Sequence, residues 1–138
     1  MELRTIEWKN NSVVMIDKTK LPNELVFVKY TDFNDVATAI RTLVVRGAPA
    51  IGVSGAFGMA LAVLQSSSDT LEGLLSDLEN AKKILLETRP TAVNLSRGLE
   101  KIIFLSCFWP FFIGFIHFAR IISLDIRNFH QLLLKLQG

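Results

Sequence analysis

The chain has 138 residues, half of them hydrophobic and a fifth charged, which is enough for one compact domain with a modest core. A formal net charge of +2, with no Lys/Arg cluster and no aromatic-plus-basic stripe, argues against a nucleic-acid partner. The single cysteine, Cys107, allows no internal disulfide and no cysteine-based metal site, and Met1 to Thr5 lack the layout of a secretory leader, so a cytoplasmic address is expected.

Leu3 to Trp8 and Val13 to Ile16 are short β-prone runs. Between them, Lys9-Asn10-Asn11-Ser12 carries paired asparagines, which tolerate the positive φ angles of a tight turn, so the pattern predicts a β-hairpin. Asp17 to Asn23 is polar, holds Pro22 and reads as a connection, and Glu24 to Tyr30 reads as a further strand. A helix opens at Thr31-Asp32-Phe33, with Thr31 as its cap and Asp32 and Asp35 in its first turn. Val36, Ala39, Ile40, Leu43 and Val44 form its apolar stripe, and it is expected to run to Gly47 as a left-handed C-terminal cap.

Pro49 suits the first turn of a second helix, Ala48 to about Gln65. That helix is nearly uncharged and rich in small residues, which lets neighbouring backbones approach, so it is expected at the centre of the fold. Ser66 to Asp69 is a polar loop, and Thr70 caps a third helix whose Leu71, Leu74, Leu75, Leu78, Ala81, Ile84 and Leu85 repeat at helical spacing. Asp77, Glu79, Lys82 and Lys83 form its solvated face. Arg89-Pro90 breaks it, and a fourth helix is expected from near Thr91 through Leu95 and Leu99. The expected fold class is α+β: an N-terminal β-hairpin followed by a mainly helical bundle.

Two stretches carry a chemical signal. In Arg46-Gly47-Ala48-Pro49 an arginine ends one helix, a glycine turns the chain, and a new helix starts at once. The free N–H groups of that start and the positive end of its dipole suit an anion, and the arginine fork matches phosphate oxygens. A plain helix corner with a surface arginine has the same spacing. Thr88-Arg89-Pro90-Thr91 repeats the design, and two such corners brought together would converge on one anion.

Taken with Arg4-Thr5-Ile6-Glu7-Trp8, Ile16-Asp17, Lys20-Leu21-Pro22, Val44 to Val53 and Thr88 to Leu95, the first hundred residues resemble the methylthioribose-1-phosphate isomerases. That family shares a superfamily with the regulatory subunits of the translation-initiation exchange factor. The resemblance implies an aldose-to-ketose isomerisation of methylthioribose 1-phosphate in methionine salvage, with Arg46, Gly47, Ala48 and Arg89 on the sugar phosphate. It implies no metal or nucleotide cofactor, and a homodimer is typical of the family. It also implies a cysteine and an aspartate from a C-terminal Rossmann-like domain, which these residues do not match. Cys107 and Asp125 sit in other contexts, and His117 and His130 have no partner ligands for a metal, so the catalytic set is expected to be absent here.

Composition changes sharply at Lys101: beyond it Asp125 is the only carboxylate, and seven of the ten phenylalanines follow. The chain is therefore read as an isomerase-family N-terminal domain over 1–100 and an apolar tail over 101–138. Ile102 to Ala119, flanked by Lys101 and Arg120, has the composition of a short membrane-associating span. The preferred reading is a shifted frame or unspliced sequence, giving a truncated, inactive form. The rival functions are a regulatory module like the exchange-factor subunits, a ribose-1,5-bisphosphate isomerase and a small membrane-anchored protein.

Overall fold

A computed structural model describes residues 4–108, and the side chains of residues 4–100. Strand β1 (Ile6–Trp8) pairs antiparallel with β2 (Val13–Ile16), setting Ile6 opposite Met15 and Trp8 opposite Val13. The hairpin is the expected one. Asn10 and Asn11 take φ of 50° and 55°, the left-handed pair that a two-residue turn needs to match strand twist. Lys9 and Ser12 exchange backbone hydrogen bonds of 2.9 and 3.1 Å across it, and the buried Ser12 hydroxyl donates to the Lys9 carbonyl at 2.6 Å.

Strand β3 (Phe27–Tyr30) pairs antiparallel with β2, completing a sheet of order β1-β2-β3. It starts later than the sequence suggested, because Glu24 and Leu25 lie outside the ladder. Ile6, Val13 and Met15 are buried and join the core shared with the helices.

Helix α1 (Phe33–Arg41) departs from expectation at both ends. Its cap is Asp32, not Thr31: the Asp32 carboxylate accepts from the Asn34 N–H at 2.7 Å. The same bond holds Asp32 below the ordinary carboxylate pKa. The helix stops at Arg41, well short of Gly47. Leu43 takes φ 63°, its N–H donates to the Ile40 carbonyl at 3.4 Å, and the Val44 N–H donates to the Ala39 carbonyl at 3.0 Å. This is a Schellman ending with leucine at the left-handed position that glycine usually fills. Leu43 and Val44 therefore leave the apolar stripe, whose buried members are Val36, Ala37, Ala39 and Ile40.

Helix α2 (Ala48–Gln65) has the expected bounds and runs through the centre of the fold, buried continuously from Ile51 to Val63. By length and composition it could cross a membrane, but 72% of it is buried inside the fold, as a core helix is. The Trp8 ring from the sheet rests on Phe57, with ring centroids 5.7 Å apart.

Helix α3 (Leu71–Thr88) is capped by the Thr70 hydroxyl, which accepts from the Gly73 N–H at 3.1 Å. It buries Leu74, Leu78, Ala81 and Leu85, while Leu71 at its start stays exposed. On its solvated face, Asp77 accepts hydrogen bonds from the Ser66 and Ser68 hydroxyls at 2.6 and 2.9 Å, fastening the preceding loop.

Helix α4 (Val93–Phe108) begins two residues after Thr91. The Ala92 N–H closes a turn on the Arg89 carbonyl at 3.0 Å, and the Ala92 carbonyl then accepts the first bonds of the helix from Leu95 and Ser96. A residue before proline is pushed away from helical geometry, and Arg89 accordingly sits at φ −150°, ψ 79°. The domain boundary expected at residue 101 falls within α4, and most of the apolar tail, with His117, Asp125 and His130, lies outside the described residues.

Candidate functional site

The first corner is a linker, not a helix end. Arg46 was expected to close a helix, but it lies between the end of α1 and the start of α2, in the link Thr42 to Gly47. Val45 is fully buried there and anchors the link, while Arg46, Gly47, Ala48 and Pro49 are exposed. Gly47 caps α2 rather than α1, with φ 96° and ψ 133°. A Cβ on Gly47 would meet no atom within 4 Å, so glycine is required by the backbone angle and not by space.

The Gly47 carbonyl accepts the first helical bond, from the Ile51 N–H at 3.0 Å. Pro49 has no N–H, and the first-turn N–H groups of Ala48 and Ala50 have no partner within the helix. No acidic residue occupies this turn to offset the partial positive charge of the helix start.

At the second corner Arg89 is half-buried at the end of α3, and the turn through Pro90 and Thr91 leads into α4. The first turn of α4 also lacks an acidic residue. Helices α2 and α4 cross backbone on backbone near their starts. A Cβ on Gly52 would lie 2.8 Å from the Asn94 carbonyl oxygen, and one on Gly98 would clash with the Gly52 carbonyl. Gly52 is four residues beyond Ala48, about 6 Å along the axis at 1.5 Å per residue, and Asn94 is the residue after Val93. Measured along the α2 axis, the start of α4 therefore lies about one helical turn from the start of α2.

Lys18 joins this corner without any signal in the sequence. Its backbone N–H donates to the Val44 carbonyl at 2.9 Å, and its Nζ donates to the Arg46 carbonyl at 3.2 Å. The partners of the second bond are 28 residues apart, so no local spacing could show the contact. Lys18 follows Asp17, whose carboxylate accepts from the Thr19 hydroxyl at 2.6 Å and the Thr19 N–H at 2.9 Å. The bond from the Thr19 hydroxyl is the main reason the Asp17 carboxyl sits below its ordinary pKa.

Each corner thus sets an arginine beside a helix start whose first turn holds no acidic residue. An arginine fork and free helix N–H groups are together suited to an anion. Among the described residues, no three His, Cys, Asp or Glu side chains are grouped so as to hold a metal ion.

Residues 44–106 match the Initiation factor 2 subunit family. The chain is similar to methylthioribose-1-phosphate isomerases: 54% identical over 101 residues to that of Trichlorobacter lovleyi and 48% identical over 103 residues to that of Chloroflexus aurantiacus. These matches take in 73% and 75% of the chain but only 29% and 30% of the relatives, so the chain spans less than a third of their length.

Among solved structures, it superposes on 5-methylthioribose 1-phosphate isomerase from Pyrococcus horikoshii OT3 with a TM-score of 0.80 and 40% identity, covering 91% of this chain and 35% of that one. It superposes equally on the translation initiation factor eIF-2B, subunit delta, from A. fulgidus, with a TM-score of 0.81 and 33% identity, over 97% of this chain and 37% of that one. The relatives named as isomerases are enzymes of small-molecule metabolism, in keeping with a soluble protein.

Proposed function

We propose that the paired corners bind the phosphate of methylthioribose 1-phosphate, as the N-terminal part of a cytoplasmic sugar-phosphate isomerase. In this reading Arg46 and Arg89 pair with phosphate oxygens, while the backbone N–H groups of Gly47 and Ala48 complete the cradle at the start of α2. Planar guanidinium forks and fixed helix N–H groups together neutralise a dianion without a metal ion. The observation that carries the reading is the close approach of Gly52 to Asn94, which sets the starts of α2 and α4 near one another. The stretch holding both corners is also the stretch similar to isomerases. Holding the phosphate fixes the sugar but moves no proton, so the acid and base of the isomerisation are proposed to come from outside the matched stretch.

Calorimetry of the 138-residue chain tests this. Methylthioribose 1-phosphate should bind and unphosphorylated methylthioribose should not, and Arg46→Ala or Arg89→Ala should each weaken binding by about ten- to a hundredfold, the usual range for losing a hydrogen-bonded charge. Equal binding of the two sugars, or wild-type affinity in both variants, contradicts the proposal. The likeness to the initiation-factor subunit supports a second reading, an assembly module without a sugar ligand. Retention of initiation-factor subunits by the chain, with no heat on adding the sugar phosphate, would favour that one.

A further inference from the structure

We propose that Lys18 is a positioning residue that locks the Arg46–Gly47 peptide with its N–H turned toward the bound phosphate, an inference that rests on the phosphate-site reading above. Lys18 grips the link at two points, through its backbone N–H to the Val44 carbonyl at 2.9 Å and through Nζ to the Arg46 carbonyl at 3.2 Å. Val45, between those two carbonyls, is fully buried. The link is thus held by the core on one side and by Lys18 on the other.

The side-chain bond matters because the carbonyl it holds belongs to the peptide that carries the Gly47 N–H. The peptide joining Arg46 to Gly47 is trans, since the one cis bond among the described residues is Leu21–Pro22. In a trans peptide the carbonyl and the N–H point in opposite directions. Fixing the Arg46 carbonyl on Lys18 therefore fixes the Gly47 N–H facing away from Lys18. Nothing in Gly47 itself enforces that choice. Turning the peptide by half a rotation would take its φ from 96° to about −84°, which glycine adopts as readily. The flipped peptide would present the Arg46 carbonyl oxygen where the N–H had been, setting a negative dipole end against the phosphate. Arg46 would also lose its fixed starting point. The Lys18 bond selects one of two backbone states that the glycine leaves open.

The test uses Lys18→Met, which keeps the stem and removes the donor, and Lys18→Arg, which restores a donor. Amide NMR spectra of the full chain are read first without ligand. Lys18→Met should move or double the Gly47 resonance, and Lys18→Arg should leave it single and near the wild-type position. In titrations with methylthioribose 1-phosphate, Lys18→Met should bind about tenfold more weakly, as expected for losing one oriented donor. Its Arg89 to Asn94 amides should still respond, and Lys18→Arg should recover most of the affinity. A Lys18→Met protein with the wild-type Gly47 resonance, or with wild-type affinity, overturns the role of Lys18 alone. A wild-type chain that does not respond to the ligand overturns the phosphate-site reading and this inference with it.

Discussion

Gly98→Ala bears hardest on the crossing of α2 and α4, on which the proposed site depends. A Cβ at Gly98 falls against the Gly52 carbonyl oxygen, closer than the 2.8 Å at which a Cβ on Gly52 would meet the Asn94 carbonyl. The obstacle is helix backbone, which cannot rotate aside, so α2 and α4 have to separate by roughly 0.5 Å or more. Alanine for glycine within a helix contributes about 1 kcal/mol of propensity in the opposite direction. Overpacking costs about 1–3 kcal/mol, and separating the helices also loosens the buried Leu95 and Leu99 from their seat on Gly55. With that loss placing the cost at the upper end, the net destabilisation is about 2 kcal/mol. For a domain of this size that corresponds to a fall in Tm of about 8–16 °C. Far-ultraviolet circular dichroism melts of the full chain check it, with Ser76→Ala on the exposed face of α3 as a reference expected within about 2 °C of wild type. A Tm for Gly98→Ala at or above wild type would refute the backbone contact, since propensity alone would then be acting.

Three further outcomes are expected. Gly47→Ala has room for its methyl group but must hold φ 96°, so it should cost about 1–3 kcal/mol in a denaturant titration; no loss of stability would mean the corner relaxes to another backbone state. Asn11→Ala should cost about 1 kcal/mol while Asn11→Gly costs nothing, because Asn11 holds φ 55° in the hairpin turn; equal stability of the two variants would count against a left-handed turn residue. Hydrogen bonds from Ser66 and then Ser68 lower the Asp77 carboxyl below 3.8, so the stability it contributes is present above the unfolded pKa and lost as pH falls through the folded one. An NMR titration should find its midpoint under 3.8, and a midpoint at or above that value contradicts the loop fastening.

What the sequence revealed was mostly local. The Asn10-Asn11 pair is its own turn signal, and Pro49 after Gly47 marks the start of α2 whatever lies around it. The end of α1 was hidden because its left-handed residue is Leu43, and leucine carries no such signal. Glycine at position 47 then drew the helix boundary to itself, though its unusual φ serves the next helix. Thr31 and Asp32 are both good caps, and only the bond to Asn34 decides between them. Arg46 and Arg89 were legible as chain corners before helix starts, but the crossing that sets those starts near one another depends on two distant glycines, Gly52 and Gly98. Lys18 was invisible for the same reason: its partner carbonyl belongs to a distant segment.

The central claim is that both corners serve one phosphate. Its most direct test is an amide NMR titration of the wild-type chain with methylthioribose 1-phosphate, tracking residues 46–50 and 89–94 together. Both groups should shift along saturation curves with a single Kd, and both responses should vanish in an Arg46→Ala, Arg89→Ala double variant. Shifts confined to one corner, two different affinities or no shift at all would contradict it.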